Sequence, residues 1–310
     1  MKDNLPNFLI VGAGKSGSTS LYHYINQHPD VFMPDNKEPN FLVADYQKKT
    51  NPMSQTYIDD KRRMVFEYDK YRELFKEAND SKLIGEATVT YLYKYDEAIP
   101  KIKKYLGTDV KIIIILREPV SRTFSNYAYA VELGYENLTF KEALEVEERR
   151  KKENWASIFM YRGQSEYYEQ VKAYIQSFDN VLIILTEELK SNPKEVIQNV
   201  FNFLGLEDID LDLNKIYNPS GIPRLKWLNH FLNQTNQLKS AIAKVISIFI
   251  SRKKLQEMGR SWRNKNIKGK LTFDDNNTRD TLYTYYLPGI LKLQNLINKD
   301  LSLWIKKYEK

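Results

Sequence analysis

The stretch Phe8-Leu-Ile-Val-Gly-Ala-Gly-Lys-Ser-Gly-Ser-Thr-Ser-Leu21 joins a short apolar strand, a glycine-rich turn and the start of a helix. A buried strand that delivers glycines, a lysine and hydroxyl groups to a helix N-terminus makes an anion cradle, because free backbone N–H groups and the positive end of the helix dipole converge there. Around this stretch the rest of the chain can supply a second anion site, an acceptor site or scaffold.

The loop differs from that of nucleoside triphosphatases, which has a glycine, four further residues and then Gly-Lys-Ser/Thr. Gly14, Lys15 and Ser16 supply the end of this pattern, but Leu9 occupies the place of the first glycine. A triphosphatase also carries an aspartate after a later strand to help hold magnesium, whereas the apolar run 110–116 is followed by Arg117. A fixed cation stands where a metal-binding carboxylate is expected, and a nucleotide-dependent kinase remains an alternative.

The composition indicates a soluble globular protein, with 42% hydrophobic and 28% charged residues in a chain of 310. No apolar run approaches the roughly 18 residues that a membrane span needs, and the first residues lack a signal pattern, so we expect a cytoplasmic protein. Absent cysteine excludes disulfides and thiolate metal sites, and three histidines give little basis for another metal site. The net charge of +7 favours acidic ligands, although no nucleic-acid-binding module accompanies it.

Apolar strands alternate with helices along most of the chain. Short apolar runs begin near residues 8, 83, 111 and 181, and helical periodicity follows each of them. This alternation predicts an α/β fold with a mostly parallel sheet flanked by helices. We expect residues 1–225 to form this core and residues 226–310 to form a helical region packed on it, ending in two helices broken at Pro288-Gly289.

The stretch 238–254 is amphipathic, with lysines flanking a Val/Ile/Phe stripe. Such a stretch can lie on a membrane surface or pack on its own domain. Peripheral membrane contact through 238–254 is therefore one of two interpretations that the pattern leaves open.

Two further segments offer site residues near the predicted strand ends. Glu86 and Thr88 follow an apolar strand, where ligands of open α/β sheets collect, but they can equally form a capping box for the next helix. Lys37 and Glu38 lie between two prolines in a segment, 34–42, that is too polar to be core. We expect this loop to fold back over the cradle, and a surface salt-bridging loop is the alternative.

A second strand-to-helix anion site is predicted at Leu116-Arg-Glu-Pro-Val-Ser-Arg-Thr-Phe-Ser-Asn-Tyr127. Arg117 follows a strand, a proline opens the helix, and Ser125 comes eight residues after the arginine. The arginine fork and the serine hydroxyl can meet one phosphate. Two such sites in one chain are more informative than either alone.

Together these motifs resemble the sulfotransferases that use 3′-phosphoadenosine 5′-phosphosulfate (PAPS). Residues 12–20 resemble their 5′-phosphosulfate loop, and residues 116–127 resemble their 3′-phosphate motif. Lys37-Glu-Pro-Asn-Phe41 is similar to the catalytic-glutamate loop of the heparan-sulfate branch and its bacterial relatives, and residues 85–92 are similar to the next strand of that branch. The resemblance covers about residues 6–225 and implies a P-loop-like fold with a helical C-terminal extension.

The resemblance implies a role for each matched residue. Glu38 would accept the proton of the acceptor as general base, and Lys15 would stabilise charge on the departing phosphate. Lys37, Glu86 and Thr88 would contact the acceptor. The reaction would leave adenosine 3′,5′-bisphosphate as product and would require no metal. PAPS would be held by Gly14, Lys15, Ser16, Gly17, Ser18, Thr19, Ser20, Arg117, Ser125 and Arg224.

The chain departs from the family pattern at two points. Val89 stands where the family frequently has proline. The lysine-glycine-arginine loop that closes over the cofactor in the heparan-sulfate enzymes is not found in this sequence. We expect residues 218–224, which end in Arg224, to take the place of that loop.

The acceptor implied by the resemblance is a carbohydrate hydroxyl or amine. The 22 tyrosines and 14 phenylalanines could instead line a pocket for a lipid, a sterol or another small-molecule hydroxyl. A nucleotide-binding adaptor without turnover, at a membrane surface, is the non-enzymatic alternative. No pattern in the sequence indicates the oligomeric state.

Overall fold

The computed structural model describes residues 4–54, 64–78, 81–213, 222–223, 267–269, 271–273 and 275–305. Its central sheet has the five strands β1 (Phe8–Gly12), β2 (Val31–Phe32), β3 (Leu83–Ala87), β4 (Lys111–Leu116) and β5 (Val181–Leu185). Their order is β2-β3-β1-β4-β5, and every neighbouring pair is parallel. The predicted α/β class with a mostly parallel sheet is confirmed.

Helices cover both faces of this sheet. The α-helices among the described residues are α1 (Ser18–Ile25), α2 (Ala44–Lys49), α3 (Tyr68–Glu73), α4 (Thr90–Tyr93), α5 (Tyr95–Tyr105), α6 (Pro119–Glu132), α7 (Phe140–Glu145), α8 (Glu147–Lys152), α9 (Tyr167–Ser177), α10 (Thr186–Ser191), α11 (Pro193–Leu204), α12 (Asn276–Ile297) and α13 (Ser302–Ile305). Short 3₁₀ turns cover Phe41–Val43, Pro52–Ser54, Lys76–Ala78, Ser157–Phe159 and Gly163–Ser165.

Each face of the sheet has its own apolar core, because successive side chains of a strand point to opposite faces. In β1, Phe8 and Ile10 pack with α1 and α11, whereas Leu9 and Val11 pack with α5, α6, α9 and α12. Strands covered on both sides are apolar without alternation, which explains why these strands could be located from the sequence.

The pairing of β1 with β3 requires a glycine at one position. Phe8 lies opposite Gly85 in the parallel register, and a Cβ added to Gly85 would overlap the Phe8 ring. Phe8 itself is fully buried. Gly85 therefore makes room for the aromatic side chain at the start of β1.

The C-terminal ends of the strands form one edge of the sheet. The connection that leaves β1 runs through α1 on one face, whereas α6 follows β4 on the other face. Ligands of open α/β sheets bind at such a switch point, beyond the carboxyl ends of the strands. The crevice between the ends of β1 and β4 is accordingly where a ligand site is expected.

Three expectations about the elements were wrong. The charge pattern of residues 140–152 predicts one solvated helix, but the segment forms two helices, α7 and α8, and Glu147 and Arg150 are buried. Arg150 forms an ion pair with Glu136, while Glu147 accepts the backbone N–H groups of Arg162 and Gly163. Tertiary partners, which a local pattern does not reveal, pull these charges inside.

The C-terminal region also differs from the prediction. Helix α12 continues through Pro288 and Gly289, and the break comes at Asn298, which has the left-handed conformation. The buried residues Leu282, Tyr286, Ile290 and Leu293, spaced by four, four and three, hold the helix on the core despite the proline. Residues 267–269 form a short strand, β7, antiparallel to β6 (Ile222–Pro223), so the region after residue 225 is not wholly helical. The domain boundary near 225 stays a prediction.

Candidate functional site

The cradle predicted from residues 8–21 begins where β1 ends. Gly17 precedes α1 in the left-handed conformation with a φ of 97°, and no side chain caps the helix. The hydroxyl residues from Ser18 onward predict a side-chain cap by pattern, and this prediction was wrong, since Ser18 already belongs to the helix. A helix start lacking a side-chain cap leaves N–H groups for another acceptor, and an anion is the acceptor that the helix dipole favours.

The predicted cradle residues divide by exposure. Ser16 and Ser18 are buried, whereas Gly14, Lys15, Gly17, Thr19 and Ser20 are partly exposed. The carbonyl of Ser16 lies 2.6 Å from the hydroxyl of Thr186, which fixes the loop to the start of α10. Ser16 and Ser18 are thus covered by the protein, while Lys15, Thr19 and Ser20 keep part of their surface exposed.

Lys15 is the central cation of the cradle. Its backbone is left-handed, with a φ of 66°, and its Nζ lies 4.0 Å from the centre of the Tyr129 ring. Burial lowers the pKa of Lys15 to about 8, and the charges of Arg117 and Arg122 lower it further, against the opposing effects of Glu132 and Glu38. The surroundings of Lys15 therefore disfavour its positive charge, and a bound anion would stabilise that charge.

One face of α6 is turned toward Lys15. Arg122 and Glu132 both act on the charge of Lys15, and Tyr129 lies against its ammonium. Positions 122, 125, 129 and 132 are three or four residues apart, which puts them on one helical face. Ser125 consequently belongs to the face that borders the cradle, and its predicted role beside Arg117 at one phosphate stays a prediction.

Arg117 is tied directly to the cradle. Its Nη1 donates to the carbonyl of Lys15 at 3.1 Å, and its own carbonyl accepts from the Tyr167 hydroxyl at 3.0 Å. At the start of α6, Glu118 accepts the N–H groups of Val120 and Ser121, both at 2.8 Å. The two anion motifs found separately in the sequence therefore meet at the ends of β1 and β4.

Arg122 is a third cation of the site, which the sequence reasoning missed. It is fully buried, and among the described residues its hydrogen bonds go to neutral oxygens, those of the Gln164 side chain at 3.1 Å and the Tyr161 carbonyl at 3.3 Å. Burial lowers the pKa of this guanidinium. Its position five residues after Arg117, in the first turn of the helix that Pro119 opens, was the signal available in the sequence.

Glu38 is held at the end of β3. Its N–H donates to the carbonyl of Ala87 at 3.0 Å, its φ is 65°, and its Oε1 accepts from Lys37 Nζ at 2.7 Å. The side chain of Glu38 is 38% exposed, and its charge acts on Lys15. The Lys37–Glu38 ion pair is the one expected if the loop were a surface salt-bridging loop. The loop nevertheless also brings the Glu38 carboxylate near Lys15 of the cradle.

The rest of this loop is not the exposed segment that its polarity predicted. Phe41 and Leu42 are buried in a 3₁₀ turn, and the Phe41 ring stacks on Tyr71 with 4.4 Å between centres. The two residues after Asn40 therefore anchor the loop in the apolar core. The expectation that 34–42 contributes nothing to the core was wrong.

Glu86 and Thr88, predicted as acceptor contacts, are 1% and 0% exposed. Thr88 Oγ1 donates to Glu86 Oε1 at 2.6 Å, and the hydroxyls of Tyr71 and Tyr91 donate to Glu86 Oε2 at 2.7 and 3.2 Å. Burial raises the pKa of Glu86 to about 6. In this arrangement both side chains are buried and hydrogen-bonded within the protein, and their contact with an acceptor stays a prediction.

A tyrosine-rich cavity of about 500 Å³ lies beside the site, between the α4–α5 region, α9 and α12. It reaches Pro119 and Tyr167, the neighbours of Arg117. The tyrosines that line it are Tyr93, Tyr95, Tyr167, Tyr168, Tyr285 and Tyr286.

Two predicted features lie outside the described residues, namely Arg224 and the amphipathic stretch 238–254. Within the part of the chain that the structure describes, no helix is long and apolar enough to cross a membrane. In the same part, no group of three or more histidine, aspartate or glutamate side chains is arranged to hold a metal ion.

Comparisons with known proteins agree with this geometry. The family model described as "Sulfotransferase domain" matches residues 5–265. The chain is 27% identical to human heparan sulfate glucosamine 3-O-sulfotransferase 3B1 over 230 residues, which is 72% of this chain and 52% of that protein. It is 29% identical to the membrane-associated sulfotransferase kil1 of Dictyostelium discoideum over 174 residues, 52% of this chain and 33% of that protein.

A solved structure is similar over nearly the whole chain. The crystal structure of a sulfotransferase from Alicyclobacillus acidocaldarius superposes with a TM-score of 0.70 and 27% identity, covering 97% of this chain and 98% of that one. By contrast, the chain spans about half of the length of the human relative and a third of the length of the Dictyostelium protein.

Proposed function

Since the chain belongs to the sulfotransferase domain family, we propose that it transfers a sulfuryl group from PAPS to a hydroxyl or amine of a carbohydrate. The observation that carries the proposal is the arrangement at three adjacent strand ends. Lys15 follows β1, Arg117 follows β4 and bonds to Lys15, and Glu38 is anchored at the end of β3. Two cations that can bind phosphates and a carboxylate that can accept a proton therefore lie along one edge of the sheet.

The residues present fit a donor with two separate anionic groups. The cations Lys15, Arg117 and Arg122 converge, and the surroundings of Lys15 disfavour its charge in the absence of an anion. Lys15, the start of α1 and the Thr19 and Ser20 hydroxyls would hold the 5′-phosphosulfate. Arg117 and Ser125 would hold the 3′-phosphate, as the resemblance implies, and we extend this role to Arg224.

In the proposed mechanism the residues of the chain align the donor with the acceptor and stabilise the charge that develops during transfer. When bound, PAPS supplies an activated sulfuryl group whose bridging S–O bond breaks while a bond from the acceptor oxygen to sulfur forms. Glu38 accepts the proton of the acceptor hydroxyl through its carboxylate, of which Oε1 is bonded to Lys37. Lys15 stabilises the negative charge left on the phosphate oxygen.

A carbohydrate acceptor is supported by two observations. The human relative is named for glucosamine in heparan sulfate, and the net charge of +7 suits an acidic glycan. Lys37, paired with Glu38 and 17% exposed in its side chain, would face an anionic group beside the reacting hydroxyl.

A small-molecule or lipid hydroxyl is the second candidate acceptor. It is supported by the tyrosine-lined cavity of about 500 Å³, a size typical of small-ligand sites. Lining residues Tyr167 and Pro119 adjoin Arg117, which would bring such an acceptor near the donor.

A transfer assay with ³⁵S-labelled PAPS and no added metal tests the proposal. We expect label in acidic glycans such as N-sulfated heparan, and label in a lipid or phenol fraction would favour the second acceptor. Retained binding of adenosine 3′,5′-bisphosphate with no transfer to any fraction would favour a non-catalytic adaptor. Magnesium-dependent transfer from ATP would favour a kinase.

A further inference from the structure

The Glu86 carboxylate has an arrangement that the proposed mechanism leaves unexplained. It is 1% exposed, and it accepts hydrogen bonds from three hydroxyls, those of Thr88, Tyr71 and Tyr91. Burying a carboxylate is costly unless its oxygens are fully hydrogen-bonded. A purely apolar contact between β3 and its surroundings would avoid that cost, so apolar packing alone does not explain a carboxylate at this position.

Both tyrosines that donate to Glu86 also contact the loop that carries Glu38. The Tyr71 ring stacks on Phe41, with 4.4 Å between centres and 18° between planes. The Tyr91 hydroxyl accepts the N–H of Leu42 at 3.3 Å. Since both hydroxyls donate to the same oxygen, Oε2 of Glu86, one carboxylate orients both tyrosines against the loop.

The other end of the loop is hydrogen-bonded to Ala87, the residue that follows Glu86 in the chain. Glu38 donates its N–H to the carbonyl of Ala87, and Asn40 bonds through its Nδ2 to the carbonyl of Glu38 at 2.8 Å. Glu38 and Asn40 both have left-handed backbones, with φ values of 65° and 56°. Non-glycine residues keep such conformations only where their surroundings enforce them.

We propose that Glu86 is a positioning residue that holds the Glu38 loop in register with the cradle through Tyr71 and Tyr91. This inference rests on the proposed function of Glu38 as base. It replaces the expectation that Glu86 touches the acceptor. Burial raises the pKa of Glu86 to about 6, and the nearby charge of Glu38 raises it further.

Hydrogen exchange of the loop amides tests this role without requiring turnover. Glu86→Gln replaces a charged acceptor with a neutral one, and Tyr91→Phe removes the bond to Leu42 while keeping Glu86. Because charge-assisted hydrogen bonds are stronger than neutral ones, we expect exchange of the Glu38 and Leu42 amides to rise about five- to tenfold in each variant. Turnover should fall by about the same factor, with affinity for adenosine 3′,5′-bisphosphate within about twofold of wild type.

Tyr161→Phe is the matched control, because Tyr161 is also fully buried and donates to a buried glutamate, Glu136, at 2.7 Å. Its loss should lower thermal stability comparably and leave loop exchange and turnover unchanged. Unchanged loop exchange in Glu86→Gln and Tyr91→Phe, or an equal rise in Tyr161→Phe, would overturn the inference. If the loop responds but the wild-type protein transfers no sulfuryl group, the proposed function fails while the anchoring of the loop by Glu86 stands.

Discussion

The guanidinium of Arg117 donates to the carbonyl oxygen of Lys15 across 3.1 Å. This bond joins the residue that follows β4 to the loop that follows β1, so two anion-binding motifs 102 positions apart form one site. It also fixes the backbone of Lys15, whose φ is 66°. The separation between a 5′-phosphosulfate and a 3′-phosphate would be set by this contact in the proposed complex.

Replacing Arg117 should therefore weaken donor binding more than it weakens folding. Arg117 is partly exposed, and Arg117→Ala removes both the bond to Lys15 and the proposed phosphate contact. We expect the Kd for adenosine 3′,5′-bisphosphate to rise by about 10- to 100-fold, as for a charge-assisted pair. Calorimetry with Arg117→Lys, which keeps the charge without the fork, should give an intermediate value. An unchanged Kd would remove Arg117 from the site.

Donor binding should be accompanied by proton uptake at mildly alkaline pH. The pKa of Lys15 is lowered to about 8, first by burial, and an added anion raises it. Near pH 8.5 a lysine of this pKa is mostly neutral before binding and protonated afterwards, so uptake should approach about 0.7 proton and vanish near pH 6.5. Calorimetry in buffers of different ionisation enthalpy measures this number. Lys15→Met should abolish the alkaline uptake, and uptake that persists would assign it to another group.

The Tyr129 ring should help to keep Lys15 charged. Its centre lies 4.0 Å from Nζ, and a cation over a partly buried aromatic face gains about 0.5–2 kcal/mol. Tyr129→Leu should lower the pKa of Lys15 by about half to one unit, whereas Tyr129→Phe should leave it unchanged. The midpoint of the proton-uptake profile reports the shift, and identical profiles for the two variants would show that the ring has no such effect.

Two glycines should respond in opposite directions to alanine. A Cβ at Gly85 overlaps the Phe8 ring, whereas a Cβ at Gly289 meets nothing within 4 Å. Gly85→Ala should lower the free energy of unfolding by about 1–3 kcal/mol or more through overpacking. Gly289→Ala, inside α12, should raise it by about 0.5–1 kcal/mol. Thermal unfolding of both variants checks the register of β1 with β3, and a neutral Gly85→Ala would contradict it.

The parts of the fold that could be predicted are those encoded by neighbouring residues. The buried strands are continuous apolar runs, and both anion loops combine a strand end, a turn and a helix start within a dozen residues. Arg117 and Lys15 could each be found in this way. Their bond to each other could not, because it depends on the strand order that places β4 beside β1.

The failures share a physical cause. Glu86, Glu147 and Arg150 are charged residues that are buried with partners 14 or 15 positions away, in other elements of the fold. Pro288 lies in a helix that packing keeps continuous. Local chemistry indicated a boundary or a surface in these cases, and tertiary contacts overrode it.

The most direct test of the central claim compares Glu38→Gln with Lys37→Gln in the ³⁵S transfer assay, with donor binding measured in parallel. Glu38→Gln keeps the size of the side chain and removes the proton acceptor, so kcat should fall by about 100-fold or more while the Kd for adenosine 3′,5′-bisphosphate stays within about twofold. Lys37→Gln, which breaks the 2.7 Å ion pair but leaves the carboxylate, should retain at least about a tenth of the activity. Near-normal turnover of Glu38→Gln, with the donor still bound, would contradict the account.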